Sequence, residues 1–218
     1  MNNKETIIYI VRHGQSEGNK IDKFVGHTDL GLTDLGKTQA ELTAKCFVEK
    51  GILLDTIYSS DLKRAIDTAN PTAKAYNLEL QKLKQLREIN GGKWEGMIFP
   101  DIVEKYPKEY DVWKNNFWQA RPVGGESITE LAKRIVDAIE KIAIQNEGKK
   151  VAVFTHATPL RIAICHYSNK QLSQLNTIPW VSNASITTLK VDSHKSSLEQ
   201  IGYDLHLGNL TSTFAKEV

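Results

Sequence analysis

The chain has 218 residues, 40% hydrophobic and 25% charged, enough for one large α/β domain or two small ones. A net charge of +2 offers no global field to nucleic acid or a membrane surface, so any preference for anions has to come from a local cluster. Cys46 and Cys165 lie far apart without CxxC spacing, which argues against a disulfide framework or structural zinc; with no signal-like or ~20-residue apolar run, reduced thiols in a cytoplasmic protein are expected.

Residues 6–11 are β-branched and aromatic and predict a buried strand, left at Arg12-His13-Gly14. Thr33 reads as the N-cap of a helix reaching Gly51. Residues 55–59 predict a short strand, and Asp61 a cap for a helix that runs to about Tyr76 and is disturbed at Pro71. Residues 78–83 alternate as a third strand. The stretch 87–125 is irregular and holds three of the four tryptophans and three prolines, so it reads as an insertion forming a cap. Ser127 and Glu130 make a capping box for a long helix ending near Gln145. Residues 150–155 predict a strongly buried strand, and Pro159 fits the first turn of the next helix. Strands near 185–191 and 198–202 precede a polar tail expected to be loose. The alternation predicts an α/β fold, a three-layer α/β/α sandwich over residues 1–218. Its mostly parallel sheet is covered on both faces, with a small cap insertion at about 87–125.

In such sheets ligands bind beyond the carboxyl ends of the strands. Arg12-His13, Ser59-Ser60 with Arg64, Arg87-Glu88 and Thr155-His156 all fall at such ends. A cation beside an imidazole repels it once both are charged, and an anion between them resolves the conflict. One rival pattern competes. Gly31 to Thr38 matches GxxxxGK[ST], the phosphate-cradling loop of nucleotide hydrolases. That loop must follow a buried strand, and residues 24–30 are too polar and too short for one. Thr33 as N-cap also puts Gly36 and Lys37 inside a helix.

VRHGQSEGN, LGLTDLGKTQA, YSSDLKRAIDTA, LREINGGKWEG, GGESI and FTHATPLR together resemble the histidine phosphatase superfamily, which includes cofactor-dependent phosphoglycerate mutases. The resemblance covers about residues 6–190. It implies that His13 is the nucleophile that takes a phosphoryl group and that Arg12 and Arg64 grip the phosphate. It also implies that His156 donates to the same group, that Asn19 and the amide of Ala157 contact it, and that Glu88 is the general acid. Neutral imidazole and permanently charged guanidinium forks suit these roles. No metal or other cofactor is implied, since fixed cations neutralise the transferring group. Taken singly, Glu88 also fits an ion-pair partner of Arg87, leaving Glu95 as the next acid, and Asn19 also fits a simple turn cap. Ala157-Thr158 departs from the family's frequent glycines, and the extra methyl bears on substrate size.

Mutases of this family hold a second anion on the cap, with a tyrosine after the glutamate and paired arginines later. Here Glu88-INGGKWEG lacks the tyrosine and Arg121 stands alone, which looks like the phosphatase branch. The expectation is a phosphomonoesterase acting on a small phosphorylated metabolite, with phosphoglycerate mutase as the alternative. A non-catalytic phospho-ligand module is a more distant one. Sugar phosphates, phosphoglycerate and α-ribazole phosphate stay open as substrates, as does oligomeric state. Trp94, Trp113 and Trp118 are expected to pack the cap, and His27, His166, His194 and His206 to be structural.

Overall fold

A computed structural model describes residues 5–21, 23–192 and 195–213; His194 lies outside them. Six strands form one sheet: β1 (Thr6–Arg12), β2 (Thr56–Ser59), β3 (Leu80–Lys82), β4 (Lys150–Thr155), β5 (Ile186–Val191) and β6 (Ser196–Tyr203). Their order is β3-β2-β4-β1-β5-β6. The first four run parallel, and β5 and β6 add an antiparallel edge. Among the described residues seven α-helices join them: α1 (Glu17–Lys20), α2 (Asp34–Glu49), α3 (Lys63–Tyr76), α4 (Phe99–Lys105), α5 (Pro107–Asn115), α6 (Ile128–Gln145) and α7 (Ala157–Tyr167).

Alternation along the central strands divides the core in two. Ile8, Ile10, Val151 and Val153 face α6 and α7 and pack with Ile135, Ile139, Leu160 and Ile164. Tyr9, Val11, Ala152 and Phe154 point to the other face and meet Phe47 of α2 and Ala69 and Ala73 of α3. The three expected layers are present, and none of the helices is long and apolar enough to cross a membrane among the described residues.

Two helix starts follow their sequence signals. Thr33 Oγ1 accepts from the Gly36 amide at 3.0 Å. Ser127 and Glu130 exchange bonds of 3.1 and 2.9 Å. Five expectations fail in detail. Asp61 does not cap α3, because its carboxylate takes a bidentate grip from Arg87 at 2.6 and 2.7 Å; the Lys63 amide is capped instead by Asp29 at 2.6 Å. Pro71 leaves α3 unbroken, since burial of Ala65, Thr68, Ala69, Thr72 and Ala73 along one face outweighs one missing amide. The third strand shrinks to three residues at the sheet edge. The polar tail is held as far as residue 213, with Gln39 donating to the Leu210 carbonyl at 2.7 Å and Ser212 bonded to Asn183. Residues 214–218 of that tail lie outside the described residues. The stretch 87–125, read as irregular, contains α4 and α5.

Residues 31–38 serve packing. A Cβ on Gly14 would sit 2.6 Å from the Gly36 carbonyl oxygen, and one on Gly36 would sit 2.0 Å from the Gln15 carbonyl oxygen. The two glycines let the loop after β1 lie directly on the first turn of α2. Lys37 points outward and pairs with Asp34 at 2.9 Å. Gly36, Lys37 and Thr38 are thus helix residues, which removes the nucleotide-loop reading.

Candidate active site

The register of β1 against β4 pairs Arg12 with Thr155, so the next residues, His13 and His156, leave the sheet side by side. Their ring centroids are 5.1 Å apart, edge to face. Ser60 follows β2, the neighbour of β4 on the other side, and its Oγ lies 2.8 Å from His156 Nε2. Thr155 Oγ1 donates to the Leu86 carbonyl at 2.8 Å, tying down the turn that delivers Glu88. His13, Asn19, Arg64, Glu88 and Ala157 line one cavity of about 60 Å³. Arg12 and His156 are fully buried beside them.

His13 Nδ1 is 2.7 Å from the carbonyl oxygen of Gly14. A carbonyl only accepts, so the ring proton sits on Nδ1 and the lone pair on Nε2. Burial, followed by the charges of Arg64 and Arg12, holds the His13 pKa well below 6.5, so the ring is neutral at pH 7. Burial and Arg64 do the same to His156, whose Nδ1 is buried without a partner. Burial lowers Arg12 and Arg64 to about 10, which leaves both charged at neutral pH.

Main-chain atoms fix the cations. Arg64 donates to the carbonyls of Thr28 at 3.0 Å and Gly26 at 2.8 Å. Arg12 donates to the Val181 carbonyl at 2.6 Å. Glu88 Oε1 accepts from the Ile89 amide at 2.8 Å, and Oε2 from the Thr158 amide at 3.1 Å in the first turn of α7. Arg87 is committed to Asp61, so the expected alternative of an Arg87–Glu88 pair is excluded. Asn19 both lines the cavity and caps α1, its Oδ1 accepting from Ser16 and from Asn183.

Glu95 is no candidate acid. Its carboxylate accepts from the amides of Gly26, His27, Thr28 and Gly91 at 2.7–3.2 Å and from the Thr28 hydroxyl at 2.6 Å. Burial pushes its pKa up, but the bonds from Thr28, His27 and Gly91 outweigh this and leave it below the ordinary glutamate value. Its effect is to shape the loop whose carbonyls hold Arg64.

Several residues of the site carry no sequence signal. Asn183 donates to the His13 carbonyl at 3.0 Å, and His27 Nε2 donates to the Glu88 carbonyl at 3.0 Å. Trp94 and Trp113 are buried in the core as expected and Trp118 packs against that core; Trp113 also lines the cavity, with Lys23, Phe24, Phe99 and Trp180. Isolated aromatics from four separate segments have no spacing that sequence inspection could detect. Among the described residues, no group of three or more His, Cys, Asp or Glu is gathered so as to hold a metal ion.

The family profile described as histidine phosphatase superfamily (branch 1) matches residues 8–204. Phosphoserine phosphatase 1 of Hydrogenobacter thermophilus is 31% identical over 92% of this chain and 94% of its own. Phosphoglycerate mutase-like protein 4 of Arabidopsis thaliana is 34% identical over 71% of this chain and 67% of its own. The solved structure of Bacillus stearothermophilus YhfR superimposes with a TM-score of 0.85 at 28% identity, covering 93% of this chain and 99% of that one. With the family profile matching nearly its whole length, the chain belongs to the histidine phosphatase superfamily, branch 1.

Proposed function

We propose that the chain hydrolyses small phosphomonoesters through a phosphohistidine on Nε2 of His13. The observation that carries this reading is the 2.7 Å contact of Nδ1 with the Gly14 carbonyl, which leaves Nε2 as the lone-pair nitrogen of a neutral ring. Nε2 attacks phosphorus while the bond to the alcohol oxygen breaks, and Glu88 gives that oxygen its proton. Arg12 and Arg64 neutralise the equatorial oxygens. With the Ser60 hydroxyl donating to Nε2 of His156, the proton of that ring sits on Nδ1 and is free for a phosphoryl oxygen. The Asn19 amide group and the Ala157 main-chain N–H supply further donors. Glu88 then removes a proton from water, the resulting hydroxide attacks phosphorus, and His13 leaves as the neutral ring.

A phosphatase is favoured over a mutase by Arg121. It pairs with Glu130 at 2.6 Å on the surface and does not line the cavity, so it offers no second anion site there. Hydrolysis is also the activity in the name of a relative matched over 94% of its own length. Rapid quench during turnover of p-nitrophenyl phosphate should trap an acid-labile, base-stable phosphoryl adduct. His13→Ala should lose the adduct and roughly 10⁴-fold or more in rate, while chelators leave the wild type active. An adduct persisting in His13→Ala would overturn the mechanism.

A further inference from the structure

We infer that the alcohol side of the cavity selects phosphomonoesters whose alcohol carries a flat apolar group, at the expense of amino alcohols such as serine. The inference rests on the phosphatase reading and adds the substrate class. Beyond His13 and Glu88 the cavity is walled by Phe24, Ile89, Phe99, Trp113 and Trp180. The rings are held before any substrate arrives. Phe24 meets Trp113 edge to face at 5.3 Å, and Phe99 at 6.3 Å. Phe117 stands behind, 4.6 Å from Trp113 and 5.9 Å from Trp180. Arg161 stacks on Trp180 at 4.2 Å and donates to the Ile178 carbonyl at 2.7 Å, so its guanidinium backs the wall. Rings fixed in this way take an aromatic or aliphatic face with little further ordering.

The charges on this side select in the same direction. Lys23 is an exposed cation lining the cavity. Glu88 is the one carboxylate among the described lining residues, and both its oxygens already accept main-chain N–H bonds. On the alcohol side a substrate ammonium would meet the Lys23 cation, an unfavourable arrangement that discriminates by repulsion. An aromatic ring in the same place gains burial worth roughly 10- to 100-fold in binding.

Esters of primary alcohols separate recognition from leaving-group chemistry. Phosphate release should be followed with ethyl phosphate, 2-phenylethyl phosphate and phosphoserine, with p-nitrophenyl phosphate as control. In the wild type, kcat/KM for 2-phenylethyl phosphate should exceed that for both other alkyl esters by at least about tenfold. Trp180→Ala and, independently, Phe99→Ala should bring the phenylethyl-to-ethyl ratio below about threefold, and Trp180→Phe should restore most of it. Lys23→Glu should raise phosphoserine relative to 2-phenylethyl phosphate. Phosphoserine equal to or better than 2-phenylethyl phosphate, or a ratio untouched by both alanine variants, would overturn the substrate class and leave the phosphatase reading standing. No turnover of any of the four esters, with no adduct formed, would overturn the phosphatase reading itself.

Discussion

At the proposed phosphoryl end of the cavity the candidate groups are held by main-chain atoms. His13 is set by the Gly14 carbonyl, Arg64 by the carbonyls of Gly26 and Thr28, and Glu88 by the amides of Ile89 and Thr158. At the alcohol end side chains rest on side chains: Phe24 on Trp113, Phe117 between Trp113 and Trp180, Trp180 on Arg161. Backbone anchors tie the chemistry to the path of the chain and permit little drift. A wall of packed rings can change size and shape by single substitutions and leave the anchors in place. Reaction and specificity are thus built from different materials, and variants at one end should be blind to changes at the other.

The largest test of that separation is at Glu88. Glu88→Gln should slow an alkyl phosphate by roughly 10²–10⁴-fold, the span of acid–base catalysis. The loss with p-nitrophenyl phosphate should be much smaller, because a nitrophenolate leaves without a proton. Single-turnover measurements should show the adduct forming from the aryl ester and then breaking down slowly. Equal losses for both leaving groups would make Glu88 only an anchor of the α7 amide.

Acid probes the phosphoryl end next. Burial, with Arg64 the next cause, lowers the folded-state pKa of both His13 and His156 well below 6.5. The unfolded chain takes up those protons as pH falls through about 6.5 and the folded chain does not. Stability is therefore complete above that pH and declines below it, by about 1.4 kcal/mol per pH unit for each histidine, or roughly 100-fold per unit in the folding equilibrium for the pair. Denaturant melts between pH 7.5 and 5 should show this slope. A His13→Gln/His156→Gln variant, whatever its absolute stability, should have a flatter acid limb, and an unchanged limb would refute the assignment.

A smaller effect is expected at Glu95. Gln offers one acceptor oxygen where four amides and a hydroxyl converge, so the loop that holds Arg64 should loosen. Displacing a positioning cation should cost about tenfold in kcat/KM. The factor should be the same for ethyl, phenylethyl and p-nitrophenyl phosphate, since Arg64 meets only the phosphoryl group. An ester-dependent factor would mean that the two ends are coupled. Smallest of all, Lys37→Ala on the exposed start of α2 should change stability by less than ~0.5 kcal/mol and turnover not at all. Loss of turnover there would reopen the nucleotide-loop reading of residues 31–38.

The same contrast explains what inspection of the sequence could find. Arg12-His13, Ser59-Ser60 and Thr155-His156 straddle the ends of strands, and parallel topology brings such positions together; Glu88 follows its strand by a short turn. Phe24, Phe99, Trp113 and Trp180 come from two loops and two short helices whose docking depends on tertiary packing, so no local pattern marks them. Asp61 was a sound N-cap by local chemistry and lost to a bidentate arginine 26 residues away. Pro71 should weaken a helix in isolation, and burial of the opposite face keeps it. Glu95 looked like a spare acid because the five donors that surround it are mostly backbone, which composition never displays.

The adjacency of β1 and β4 carries a metric consequence. Neighbouring strands are spaced about 4.8 Å apart by their ladder, and the two histidine rings that leave them in register stand 5.1 Å apart. The sheet acts as a ruler for the backbone beneath the two histidines. Lengthening the backbone spacing beneath the pair means breaking the ladder between Arg12 and Thr155. Any phosphoryl group bound against both rings meets a spacing calibrated by hydrogen-bonded backbone.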